Sequence, residues 1–137
     1  MKIAEVSERC DITQDTLRYY ERIGLIPRVN RSDSGIRDYS ELDIRRVEFI
    51  KCMRNAGLSI EVLIEYMGLA QRGNQTIGAR KEILKEQREQ LFARMKEMQK
   101  TLDLLEYKIN VYENAVLGGE KEMLPNEDRV LATGIIE

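Results

Sequence analysis

Two cysteines are the side chains in this sequence best suited to covalent chemistry. Cys52 lies within EFIKCMRNAGLS, an amphipathic helical pattern in which Lys51 precedes it and Arg54 follows two residues later. On a helix both basic residues point away from Cys52, whereas Glu48, four residues earlier, shares its face and opposes a thiolate. The pattern therefore favours a packing cysteine at the edge of an apolar stripe. The centre of this predicted stripe is formed by Leu42, Phe49 and Met53.

Cys10 follows Ile3 and Val6 at helical spacing, which predicts a core position on a short first helix. Two cysteines are too few for a disulfide framework, so free thiols in a reducing compartment are expected. The 137 residues include no histidine, which argues against a metal site, a cofactor held by Cys/His ligands and His-dependent catalysis. The carboxylates form no acid/base constellation, so we do not expect an enzyme. The absence of a long apolar run predicts a cytoplasmic protein without membrane contact.

The first forty residues predict a helix-turn-helix followed by a hairpin. Thr13 can cap a second helix, in which Leu17 and Tyr20 point to one side and Arg18 to the other. Pro27 ends helical structure, and SDSG is a turn sequence between short extended runs at residues 27–30 and 36–39. This hairpin is predicted to form a wing.

Two further helices and a long one complete the predicted architecture. Ser40 and Ser59 are candidate caps, and QRGNQ is a candidate linker. From Ile77 onward apolar residues recur in a heptad pattern, which requires a partner helix, most simply that of a second copy. The predicted domains are residues 1–74, a winged helix-turn-helix; 75–117, a dimerisation helix; and 118–137, a loosely ordered tail. The predicted dimerisation residues are Leu84, Leu91, Met95, Met98, Leu102, Leu105, Ile109 and Tyr112.

The order of these elements and their residues resemble a known family. TLRYYERIGLIP followed by SGIRDYS resembles the signature of the MerR family of bacterial transcriptional regulators, in register from Lys2 to about Arg72. The resemblance implies a mostly α-helical homodimer whose long helices pair as an antiparallel coiled coil. It also implies binding to a palindromic operator in double-stranded promoter DNA, and switching, with RNA polymerase at the same promoter, by DNA distortion.

The predicted DNA-binding residues lie on the recognition helix, the wing and the third helix. Arg18, Tyr19 and Arg37 match family residues that touch DNA, and arginine suits phosphate and base recognition. Residues 1–54 contain nine arginines and two lysines against ten acidic residues. The complete predicted set is Thr13, Gln14, Thr16, Arg18, Tyr19, Arg31, Arg37, Tyr39 and Arg54.

Within the family, GIRDYSELD and FIKCMRNAGLSIEVLIEY are similar to the aldehyde-responsive AdhR/NmlR-like branch, which implies that Cys52 is a sensor thiol for a small electrophile such as an aldehyde. The chain departs from the family by carrying Asp11 at the helix-turn-helix corner and Ile36 in the wing, where glycine and tyrosine are usual. It lacks the cysteines of the metal-sensing branches. Two alternatives remain: a regulator without a thiol effector, and a coiled-coil interaction protein with a degenerate helix-turn-helix.

Overall fold

A computed structural model of the protein describes residues 1–117, and the predicted tail at 118–137 lies outside the described residues. The order of elements is α1 (Ile3–Cys10), α2 (Gln14–Arg22), β1 (Asn30–Arg31), β2 (Arg37–Asp38), α3 (Glu41–Asn55), α4 (Ile60–Gln71), a short 3-10 helix (Asn74–Thr76) and α5 (Ile77–Leu117). The mostly helical fold with a two-stranded wing and a long final helix confirms the predicted fold class.

Local sequence signals begin and end the short helices. Thr13, Ser40 and Ser59 each accept a hydrogen bond from the backbone N–H three residues later, and Ser40 forms a reciprocal capping box with Asp43. Asp11 ends α1 in the left-handed conformation, with φ 52° and ψ 57°. The wing pairs Asn30 with Asp38 in antiparallel register.

One apolar core joins α1 to α4. Val6 and Cys10 from α1, and Leu17 and Tyr20 from α2, are buried as predicted. The prediction for α3 is wrong, because Leu42 is 53% exposed and Phe49 and Met53 are only half-buried. The fully buried residues of α3 are Ile44, Val47 and Ile50.

The physical reason for this difference is that α3 uses two faces. The face with Ile44, Val47 and Ile50 belongs to the central core, while Phe49 stacks on Tyr66 of α4 with ring centroids 5.5 Å apart. Hydrophobic periodicity averages two such faces into one stripe, so its centre falls between them.

The segment predicted as a linker is a hydrogen-bonded corner. The Thr76 hydroxyl donates to the carbonyl oxygens of Leu69 and Gly73, each at 2.7 Å, and accepts from Arg80 Nε at 3.0 Å. Gly73 has φ 98°, which favours glycine at this turn. This corner directs the chain from α4 into α5.

The chain forms two compact units, Met1–Leu91 and Phe92–Glu137. The first turns of α5, as far as Leu91, therefore belong to the first unit, in which Thr76 and Gln87 are buried. In the second unit the heptad residues are exposed in the single chain, among them Met95, Met98, Leu102, Leu105 and Ile109. A continuous exposed stripe of this kind is unfavourable in water unless a partner covers it.

Candidate nucleic-acid interface and reactive thiol

The exposed face of α2 holds Arg18 in a defined position. Arg18 Nη1 donates to Asp15 Oδ1 at 2.9 Å, and Nη2 donates to Gln14 Oε1 at 3.3 Å. The hydroxyls of Thr13 and Thr16 lie 2.7 Å apart at the start of the helix. These polar groups lie outside the buried face of α2, which holds Leu17 and Tyr20.

Tyr19 is half-buried, and its ring lies beneath the guanidinium of Arg22, 5.3 Å from the ring centroid. Such a cation–π contact restricts both side chains. Arg22 is therefore part of the same surface, although it is not among the predicted DNA-binding residues. Its i, i+4 spacing from Arg18 puts both guanidinium groups on one face of the helix and could have added it to that set.

Glu21 connects the recognition helix to the wing. Its carboxylate accepts a 2.7 Å hydrogen bond from Arg37 Nε and a 2.9 Å bond from the Val29 backbone N–H, while Arg31 Nη2 lies 3.9 Å away. Burial acts to raise the pKa of Glu21, but the hydrogen bonds from Arg37 and Val29 and the two guanidinium charges outweigh it, so the pKa is lowered. The carboxylate is thus charged at neutral pH and holds both wing arginines.

A concavity of about 480 Å³ opens where α2 meets the wing. It brings together three predicted residues, Arg18, Arg31 and Arg37, with Arg22 and Arg28, which were not predicted. Its complete lining is Arg18, Glu21, Arg22, Arg28, Arg31 and Arg37. Five arginines against one glutamate make the surface strongly positive, and a positive concavity attracts the phosphate backbone of a nucleic acid.

Two of the predicted DNA-binding residues, Tyr39 and Arg54, lie outside the exposed face of α2 and the arginine-lined concavity. The Tyr39 side chain is 2% exposed, and its buried hydroxyl has no hydrogen-bond partner within residues 1–117, so its predicted DNA contact is corrected to a core position. The sequence pattern of an aromatic residue that directly follows a strand is the same whether its side chain is exposed or buried, so the sequence could not distinguish the two positions. Arg54 is exposed near the α3–α4 turn, where Nη1 donates to the Leu58 carbonyl at 2.7 Å.

The two thiols differ in environment. Cys10 is buried, and this burial is the main cause that raises the pKa of its thiol. The nearby Glu48 carboxylate also raises the pKa, whereas the charges of Arg9 and Lys51 oppose the change. Cys52 is exposed and lines a separate cavity between the end of α3 and the first turns of α5. Because a reagent can reach the exposed Cys52 sulfur but not the buried Cys10 sulfur, the geometry favours reaction at Cys52.

The cavity beside Cys52 has a volume of about 290 Å³. Its lining is mostly apolar and consists of Cys52, Met53, Ala56, Leu58, Leu84, Gln87, Arg88 and Leu91. Two of the residues predicted for dimerisation, Leu84 and Leu91, therefore lie beside Cys52 of the same chain. The sequence analysis missed this arrangement, because a heptad pattern does not indicate which face of a helix meets its own domain.

Across residues 1–117 no cluster of three or more His, Cys, Asp or Glu side chains could hold a metal ion. No helix in this part of the chain has both the length and the apolar character that crossing a membrane requires. The fold and the arginine-lined concavity together define a winged helix-turn-helix DNA-binding protein.

Comparison with known proteins identifies the family. Residues 1–69 match the model of the MerR HTH family regulatory proteins, and residues 44–107 match the family model described as MerR, DNA binding. The chain is 62% identical to the HTH-type transcriptional regulator AdhR of Bacillus subtilis (strain 168) over 91 residues, which cover 66% of this chain and 65% of AdhR. It is 31% identical to an HTH-type regulator of Haemophilus influenzae over 86% of this chain and 88% of that protein.

Solved structures agree with this result. A MerR family protein of Listeria monocytogenes is 45% identical and superimposes with a TM-score of 0.83, over 87% of this chain and 90% of that one. HiNmlR, a MerR family regulator lacking the sensor domain and bound to promoter DNA, is 29% identical with a TM-score of 0.77, over 87% and 94% of the two chains. The chain belongs to the MerR family and is a DNA-binding transcriptional regulator, not an enzyme.

Proposed function

We propose that this regulator senses an aldehyde or a related electrophile through Cys52. The observation that carries the proposal is that Cys52 is exposed at a cavity between α3 and the first turns of α5, whereas Cys10 is buried. Addition of the thiol to an aldehyde forms a sulfur–carbon bond and moves the thiol proton to the carbonyl oxygen, so the reaction is reversible and needs no oxidant. The similarity to AdhR supports the same assignment.

The proposed DNA contacts come from α2 and the wing. Thr13, Gln14, Thr16, Arg18 and Tyr19 would meet one face of a palindromic operator. Arg31 and Arg37 of the wing, supported by Arg22 and Arg28, would contact the adjacent backbone, and Arg54 would contact phosphate near the α3–α4 turn. Tyr39 is left out of this set because its side chain is buried.

The proposed assembly is a homodimer formed through α5 as an antiparallel coiled coil. Its exposed stripe, which includes Met98 at 72% and Leu105 at 55% exposure, has the spacing that packs knobs into holes. An adduct in the cavity would shift α3 against α5 and so reposition the DNA-binding units. Operator affinity would change little, whereas the output of RNA polymerase at the distorted promoter would change strongly.

A promoter reporter tests the sensor. Cells carrying wild type, Cys52→Ser or Cys10→Ser are challenged with formaldehyde or methylglyoxal, and the purified proteins are analysed by intact mass after the same treatment. We expect Cys52→Ser to lose both induction and adduct, and Cys10→Ser to keep both. Full induction in Cys52→Ser cells, or adducts on Cys10 alone, would leave a MerR regulator without a thiol effector.

A further inference from the structure

Lys51 connects α3 to the end of α1. Its Nζ donates to the carbonyl oxygens of Cys10, at 2.6 Å, and Asp11, at 3.1 Å. The last carbonyl oxygens of a helix have no partner within that helix, and the helix dipole favours a positive charge beside them. Lys51 therefore gives α1 a charge-assisted cap that comes from a different helix.

The Asp11 carbonyl that Lys51 contacts belongs to the helix-turn-helix corner, the turn between α1 and α2. Local bonds also close this corner, since Ser7 Oγ donates to the Ile12 carbonyl at 2.6 Å and the Ile12 N–H donates to the Ser7 carbonyl at 3.1 Å. These bonds fix the shape of the corner, whereas Lys51 fixes its position relative to α3. Thr13, two residues after Asp11, caps α2. The position of the corner therefore determines where α2 begins.

The backbone acceptors carry this connection. The Asp11 carboxylate lies 4.0 Å from Lys51 Nζ, but the Asp11 side chain is fully exposed, so this ion pair adds little. Hydrogen bonds to a charged donor are stronger than those between neutral groups. The Lys51 side chain is 34% exposed, so water has limited access to compete for its ammonium group.

We propose that Lys51 is a positioning residue for DNA binding. Its two bonds hold the corner against α3 and keep α2 in the orientation in which the face that carries Arg18 meets a specific site. Without them the corner samples other positions, and the apparent affinity for that site falls with the fraction of molecules that present α2 correctly. Non-specific binding depends on charge rather than on this orientation, so it should persist. The inference depends on DNA binding alone and not on the reaction proposed at Cys52.

The test compares specific and non-specific binding of the full-length Lys51→Met protein. The specific probe is the duplex that the wild-type protein selects from a pool of random palindromes, and the non-specific probe is a scrambled duplex of equal length and composition. At fixed salt we expect Lys51→Met to weaken specific binding about fivefold to tenfold and to leave non-specific binding within about twofold of wild type. Equal affinity of both proteins for the specific probe overturns the proposal.

Two control variants separate the bonds to the corner from charge and packing. Lys85→Met removes the same charge from an exposed position of α5 and should bind both probes as wild type does. Lys51→Arg keeps a positively charged donor and should restore most of the specific binding. A loss that Lys51→Arg does not restore would show that Lys51 acts through packing and would overturn the proposal. If circular dichroism shows that Lys51→Met does not fold, Lys51→Gln, which keeps a neutral donor, replaces it in the same comparison.

The salt dependence distinguishes positioning from a direct phosphate contact. Removing a lysine that contacts a phosphate lowers the slope of log affinity against log salt concentration by about 1. We expect Lys51→Met to keep the slope of the wild-type protein at a lower specific affinity. A slope reduced by about 1, with equal losses on the two probes, would make Lys51 a phosphate contact and overturn the positioning role.

Discussion

Replacing Glu21 with glutamine tests how the wing is attached to the recognition helix. The variant keeps the size of the side chain and one carbonyl acceptor, but it removes the charge that holds Arg37 at 2.7 Å and Arg31 at 3.9 Å. The Glu21 side chain is 9% exposed and that of Arg37 is 22% exposed. The burial of this ion pair is therefore intermediate between that of a fully buried pair and that of a surface pair.

The magnitude follows from this intermediate burial. Breaking a fully buried pair costs about 3–5 kcal/mol, and losing a surface pair costs about 0–1 kcal/mol. We expect Glu21→Gln to lower the free energy of unfolding by about 2 kcal/mol at pH 7. Urea denaturation measures this difference, at one fixed protein concentration because a dimer's stability depends on it.

The difference should depend on pH with a defined sign. The pKa of Glu21 is lower in the folded protein than its ordinary value of 4.5. Its charge therefore stabilises the fold fully above the unfolded pKa, and this contribution is lost as the pH falls through the folded pKa. The gap between wild type and Glu21→Gln should be constant from pH 7 to about 5.5 and shrink below about 4.5.

Glu41→Gln is the matched control. Glu41 pairs with Arg9 at 3.2 Å, but both side chains are exposed, so its removal should change the free energy of unfolding much less than Glu21→Gln does. Equal stability losses in the two variants, or a Glu21→Gln difference that persists unchanged at pH 4, would refute the role assigned to the Glu21 cluster.

Three further predictions concern the interface, the seam and the helix-turn-helix corner. Arg18→Ala and Arg37→Ala should each weaken operator binding by about 1–3 kcal/mol in titrations at fixed salt; wild-type affinity in both would contradict the assigned contacts. Leu102→Asp and Leu105→Asp should give monomers with weak DNA binding, and sedimentation showing intact dimers would exclude this part of α5 as the seam. Asp11→Gly should raise the free energy of unfolding by up to about 1 kcal/mol, because glycine adopts φ 52° without strain; a less stable variant in urea would show that the Asp11 side chain matters more.

The sequence alone determined the elements whose signals are local. Thr13, Ser40 and Ser59 cap their helices through hydrogen bonds that span three residues, so residue type and position are enough to place each helix start. The sequence also predicted the arginine-bearing face of α2 and the heptad stripe of α5, because both patterns follow the helical repeat. The signature of the family depends on the same contiguous residues.

Tertiary structure decided which of these side chains meet. Glu21 and Arg37 are sixteen residues apart and pair only because the wing folds back on α2. The Tyr39 side chain is buried in the core although the residues next to it in the sequence are polar. Cys52 became a cavity residue because the corner at Thr76 turns α5 back toward α3, which brings Leu84 beside the thiol. A one-dimensional pattern fixes the faces of each helix, but contacts between distant segments depend on how those faces pack.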